Sequence, residues 1–143
     1  MEAQGDIEPF ASSPEELERL LAMARRKIAD ARLEQLSPES RLVCAYQAVL
    51  ACATAALRSN DYRVPSAGKK HLFTLESLQS TICLNRIAIN YCHLLRKKRH
   101  RDDYEGTLDC SAKEATDATA FAEDTLQKTV EYLGTRFPSV IDS

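Results

Sequence analysis

One stretch of this 143-residue chain concentrates groups able to do chemistry. Arg96-Lys97-Lys98-Arg99-His100-Arg101 sets five permanent cations and one titratable imidazole in six consecutive positions, and Asp102, Asp103, Tyr104 and Glu105 follow at once. Arginine presents a planar fork of N–H donors matched to two phosphate oxygens, and an imidazole with a reference pKa of ~6.5 exchanges a proton near neutrality. Two readings stay open. The run is either a solvated helix end, where each cation complements the macrodipole by ~0.3–1 kcal/mol, or a phosphate-contacting site. The chain as a whole carries a formal net charge of −2. That balance excludes a surface that coats nucleic acid or membrane generally, so any anion site must be local.

Other chemistries find little support. His71, His93 and His100 are separated by 22 and 7 positions, so no two sit at the i, i+4 spacing that places paired metal ligands on one helix face. No glycine-rich phosphate loop, HExxH or nucleophile elbow occurs, and nothing calls for a metal or a cofactor. The five cysteines (Cys44, Cys52, Cys83, Cys92, Cys110) are odd in number and lack a CxxC pair, which reads as small buried thiols in a reducing compartment. His71, just after a loop, reads as a capping or packing residue. Tyr46, Tyr91 and Tyr132 fall on apolar stripes and read as core residues with bonded hydroxyls.

The elements that must position these groups are helices. Four glycines and five prolines, with long stretches lacking either, disfavour a turn-rich all-β fold. Residues 1–12 carry no periodicity and read as a flexible leader. Ser13-Pro14-Glu15-Glu16 has the pattern of a capping box, with Leu17, Leu20, Leu21, Ala24, Ile28 and Ala31 as an apolar stripe behind it. Ser37-Pro38 opens a second helix striped by Leu42, Tyr46, Val49, Leu50, Ala53 and Leu57. Asn60 to Gly68 is loop, positions 69–78 a short helix, and Leu84, Ile87, Tyr91, Leu94 and Leu95 mark the helix that runs into the basic stretch. Positions 102–109 read as irregular, with Gly106 as a turn. Ser111-Ala112-Lys113-Glu114 opens a last helix with Ala118, Phe121, Ala122, Leu126, Val130 and Leu133 on one side, closed by Gly134. The expected fold is all-α: an up-and-down bundle of four long helices plus one short helix over 13–134, with a tail at 135–143. No apolar run approaches a membrane span, and the acidic start Met1-Glu2 is unlike a signal peptide, so a cytoplasmic protein without a membrane partner is expected.

Helical phase sharpens the reading of the basic run. Adding 100° per residue to the stripe Ile87, Tyr91, Leu94, Leu95 brings Lys98 or Arg99 round to the inner face. A charge turned inward needs a partner, which nearby acidic residues or a second subunit could supply. Arg96 and His100, four apart, share a face.

The string from Leu94 to Gly106 resembles the signature region of the HEPN superfamily (higher eukaryotes and prokaryotes nucleotide-binding domain), small helical bundles of which many are metal-independent ribonucleases. Their motif is an arginine, a polar residue, and a histidine after four to six residues. The helix Arg41 to Leu50, ending in Ala55-Ala56-Leu57, is similar to the helix before the family's loop. So is Gly68-Lys69-Lys70-His71 with Leu75 and Leu78 behind it. The resemblance spans about residues 14–133. It places Arg99 on the motif arginine and His100 on the polar residue, and it puts Tyr104 where the histidine is expected. It implies a homodimer with an RNA- or nucleotide-facing basic cleft, Arg99, His100 and Tyr104 in the catalytic positions and Arg96, Lys97 and Arg101 contacting RNA phosphate. In that reading Arg99 steadies the phosphate while His100 or Tyr104 handles the proton. A toxin–antitoxin component fits the same resemblance. The alternative is a catalytically inactive module partnering a nucleotidyltransferase or another protein, which Tyr104 in place of histidine favours, because a phenol of pKa ~10 is a poor base. A third reading is a plain bundle with the basic run paired to Asp102, Asp103 and Glu105.

Overall fold

The computed structural model describes residues 7–65, 69–105, 110–135 and 137, with the side chains of 101–105 outside that description. The loop expected to end at Gly68, the Gly106 turn and the tail after Phe137 lie outside the described residues in whole or part. The chain forms an all-α bundle of four long helices and one short one. These are α1 (Pro14–Ala31), α2 (Pro38–Arg58), α3 (Lys70–Glu76, followed by a single 3₁₀ turn at Ser77–Gln79), α4 (Arg86–Glu105) and α5 (Ala112–Gly134). Two short strands, β1 (Glu8–Pro9) and β2 (Tyr62–Arg63), pair antiparallel. Strands of two residues are too short to leave an alternating pattern in the sequence.

Helix starts follow the side chains that cap them. Ser111 accepts from the Glu114 N–H and Glu114 bonds back to the Ser111 N–H, a complete capping box. Ser37 accepts from the Ser40 N–H above Pro38. Ser13 accepts from the Glu16 N–H, but the expected box is only half formed there, because the Glu16 carboxylate is taken by Arg58. Gly134 does not terminate α5 in a left-handed turn. The helix runs through it to a right-handed cap at Thr135.

Helix α2 is the axis of the bundle and packs against α1, α3, α4 and α5. Ala45, Ala48, Ala51, Ala53, Ala55 and Ala56 are all buried, and side chains this small let neighbouring helices approach on several faces. By length and composition alone α2 is apolar enough to cross a membrane, contrary to the expectation of no such segment. Burial on nearly every side within the bundle accounts for that composition. Thr119, Thr125 and Thr129 line the inner face of α5, each hydroxyl donating to the carbonyl four residues back, which lets them lie among apolar neighbours.

The inward face of α4 matches the expected stripe at Leu95, and at Leu84 just before the helix, but not at Ile87 and Leu94. Ile89, Cys92 and Leu95 are buried, whereas Ile87 is 81% exposed and Leu94 48%. The helix packs chiefly on α2 and α3, and that contact selects the residues one to two positions away from the most apolar-looking series. Tyr91 meets Phe121 of α5 edge-on at 4.8 Å. The helix also continues to Glu105, past the irregular start expected at 102.

Residues 7–12, expected to be loose, are held against the bundle. Ile7 is buried with Leu57 and Val64, and the Phe10 N–H donates to the Asp61 carbonyl at 2.7 Å. Beneath them lies Arg58, whose side chain is 6% exposed. Its Nε and Nη2 donate to Glu16 at 2.8 and 3.0 Å, and its remaining N–H groups donate to the carbonyls of Phe10, Ala11 and Tyr62. All five guanidinium donors are thereby satisfied. Arg58 and Arg63 both stack on the Phe10 ring, at 5.0 and 3.7 Å from its centroid. At the other end of the chain Phe137 folds back on the cluster of Leu17, Leu21 and Leu133.

Candidate anion-binding cleft

The basic run lies on the C-terminal half of α4, where 100° steps distribute its members around the helix. Lys98 continues the side facing α5. It reaches Glu114 at 2.7 Å with its side chain 17% exposed, so the inward cation finds an acidic partner within the same chain. Glu114 serves both the capping box and this ion pair, and hydrogen bonding to Lys98 holds its carboxyl below the usual range. Lys97 lines a shallow groove beside Asn90, His93 and Leu94. Arg96, Arg99 and His100 turn toward α3.

There they meet a second group of cations. Lys69, Lys70, His71 and Leu72 complete a cleft of about 510 Å³ with Arg96, Arg99 and His100. Its described lining residues include four permanent cations and two imidazoles, and none of those described is acidic. The shared face of Arg96 and His100 is as expected. The position of His71 is not, because this residue is a wall of the cleft. The side chains of Arg101 and Tyr104 lie outside the described residues.

His71 is held from behind. Its Nδ1 lies 3.2 Å from the hydroxyl of Tyr46, with the ring centroids 6.2 Å apart. Tyr46 is fully buried on α2, and burial pushes its phenol up to about 12, against the opposing pull of Arg99 and Arg96. Burial also holds the His71 imidazole below its ordinary value, and Arg99, Lys70 and Arg96 act in the same direction. The imidazole is therefore neutral at pH 7.

Arg96 is also braced from outside the cleft. Its Nε donates to His93 Nδ1 at 3.5 Å, and His93 Nε2 lies 2.5 Å from Glu76 Oε2. Glu76 in turn takes a two-pronged contact from Arg86 at 2.6 and 2.9 Å. Hydrogen bonding to Arg86, and then to His93, holds the Glu76 carboxyl down to about 2. The chain Arg86–Glu76–His93–Arg96 fixes one N–H of the guanidinium and leaves its other end to the cleft.

Such an enclosure suits an anion with several acceptor oxygens, which arginine forks and lysine point charges can divide among themselves. Among the described residues no group of three or more His, Cys, Asp or Glu is placed to hold a metal ion. Sequence reasoning missed the contribution of Lys69, Lys70 and His71 and the support from Tyr46, His93 and Glu76. The one local signal was Lys69-Lys70-His71 itself, a cation pair abutting an imidazole right after a loop. Compared with known proteins, the chain matches no family model, no curated protein and no solved structure.

Proposed function

We propose that the chain is a HEPN-like protein whose cleft binds RNA or a nucleotide through phosphate. The observation that carries this reading is the convergence of Arg96, Arg99 and His100 on α4 with Lys69, Lys70 and His71 around one cleft, whose described lining residues include four permanent cations. Mutually repelling cations gathered at a surface opening are stabilised by an anion that divides its charge among them. A homodimer belongs to the same reading, and Ile87 and Leu94, exposed on α4, supply apolar surface for a second copy to cover.

If the protein is active, the reaction is metal-free cleavage of RNA. The 2′-oxygen forms a bond to the adjacent phosphorus, the bond to the 5′-oxygen breaks, and the 2′-hydroxyl proton is passed on to that leaving oxygen. Arg99 holds the phosphate while His100 or Tyr104 handles the proton. A second reading is a non-catalytic module that binds RNA or serves a nucleotidyltransferase or toxin–antitoxin partner. Tyr104 in place of the motif histidine favours it, because a phenol of pKa ~10 is a poor base at pH 7.

One experiment separates these readings: incubation of RNA with the protein in EDTA, wild type beside Arg99→Ala, with retention on a native gel read from the same samples. Cleavage lost in Arg99→Ala identifies a ribonuclease, and retention without cleavage identifies the binding module. Retention is expected to weaken about tenfold in Arg99→Ala, with the logarithmic salt slope reduced by ~0.7 for the lost phosphate contact. Neither cleavage nor retention at moderate salt would overturn the reading of the cleft.

A further inference from the structure

We propose that His71, oriented by Tyr46, is a neutral hydrogen-bond donor to the phosphate oxygens held in the cleft and not a base. The inference rests on the reading of the cleft as a phosphate site and names the role of one wall of it.

The argument begins with the buried phenol. Tyr46 is wholly inaccessible, and among the described residues the polar group at hydrogen-bond distance from its hydroxyl is His71 Nδ1, at 3.2 Å. A buried hydroxyl that donates to nothing forfeits its solvation, so its proton goes to the nitrogen lone pair facing it. With Nδ1 accepting, the proton of a neutral imidazole resides on Nε2. That nitrogen is not the one engaged by Tyr46, and His71 is a lining residue of the cleft.

The charged surroundings act in the same sense. Facing His71 are Tyr46 from α2, Lys69 and Lys70 at the start of α3, and Arg96, Arg99 and His100 from α4. Among the described residues no carboxylate faces it, and burial, Arg99, Lys70 and Arg96 all oppose a positive charge on the ring. A base would need a lone pair on Nε2, which moves the ring proton to Nδ1 and turns the Tyr46 hydroxyl away from its acceptor. A neutral Nε2–H instead adds a bond to a phosphate oxygen without adding a fifth permanent repulsion. Tyr46 is thus a positioning residue, acting through the imidazole.

The test uses the full chain. Long-range 1H–15N spectra of the imidazoles, with a titration of inorganic phosphate near neutral pH, report the His71 tautomer and the affinity together. The wild type is expected to show the Nε2–H form, with that nitrogen shifting as phosphate binds. His71→Ala is expected to weaken binding about tenfold, the size of a lost bond to a charged group, and His71→Gln, which keeps an N–H donor but cannot serve as a base, to recover most of it. Tyr46→Phe, which keeps the buried ring, is expected to mix the tautomers and raise the pH at which His71 titrates. An Nδ1–H tautomer in the wild type, or His71→Gln binding as weakly as His71→Ala, would overturn the proposal. If Arg99→Ala weakens phosphate binding while the His71 variants do not, the cleft reading stands and this inference alone fails. If the wild type binds neither phosphate nor RNA, both fall.

Discussion

Arg58 and the cleft arginines place the same functional group in opposite surroundings. Around Arg58 every N–H finds a protein oxygen: two from the Glu16 carboxylate and one each from the carbonyls of Phe10, Ala11 and Tyr62. Among the described residues, the cleft that Arg96 and Arg99 border is also lined by Lys69, Lys70 and two imidazoles, and His93 accepts from Arg96 behind it. The first arrangement spends the guanidinium on fixing the N-terminal segment to α2. The second gathers positive charge at an opening, which weakens the fold slightly and readies it for an anion. What an arginine does is decided as much by where the fold puts it as by its own chemistry: Arg58 is sealed in with its acceptors, whereas Arg96 and Arg99 border an opening.

The comparison predicts opposite responses to the same substitution. Arg58→Ala leaves a partly buried carboxylate and three carbonyls without their donor, and it should lower unfolding free energy by about 3 kcal/mol in a denaturant titration. RNA retention by the fraction still folded should be unchanged. Replacing both Arg96 and Arg99 by alanine should do the reverse. RNA retention falls at least tenfold, while stability stays within about 1 kcal/mol of wild type, because relief of repulsion offsets lost packing. Comparable loss of stability in both variants would erase the distinction.

Acid separates the regions further. The Glu16 carboxyl is held below its ordinary 4.5, first by hydrogen bonding to Arg58, and Glu76 is held down to about 2 by Arg86 and then His93. A carboxyl depressed in the folded state contributes in full above its unfolded value and fades as pH falls toward the folded one. Both contributions should therefore vanish progressively below about pH 4.5, and Arg58→Ala should remove the Glu16 share of that slope. His71 acts at milder pH. Its folded value lies below 6.5, so the unfolded chain takes the proton first and stability declines as pH drops below 6.5. His71→Gln should flatten that segment and leave the lower one untouched. The smallest effect is expected at Glu8–Arg63, whose side chains are roughly half exposed: Glu8→Gln should change stability by ~0.5 kcal/mol or less.

Legibility in the sequence followed the range of the interactions. The Ser111 capping box and the α1 stripe Leu17, Leu21, Ala24, Ile28, Ala31 depend on neighbours three and four positions apart, and both are as read. Half of the cleft was visible as the run from Arg96 to Arg101. Its other half was not, because Lys69, Lys70 and His71 reach Arg99 only through the packing of α3 on α4. The phase of α4 misled for a related reason. Ile87 and Leu94 look like core by composition, yet the helix turns Ile89, Cys92 and Leu95 inward, and that choice is made by α2 and α3. Had that phase been known, Arg99 would have followed from Cys92 at i+7. Glu76, ten positions from Arg86 and 17 from His93, belongs to no local pattern at all.

Four of the five hydrogen bonds of Arg58 reach partners 42 to 48 positions away along the chain. Contacts of that separation cannot form until α1 and α2 have met, since the intervening loop must first be closed. The cluster around Arg58 is therefore expected to close late in folding. Weakening it should leave the refolding arm of a chevron nearly unmoved and raise the unfolding arm by almost the full loss in stability. Arg58 would then set how long a folded molecule lasts, and hardly at all how quickly one is made.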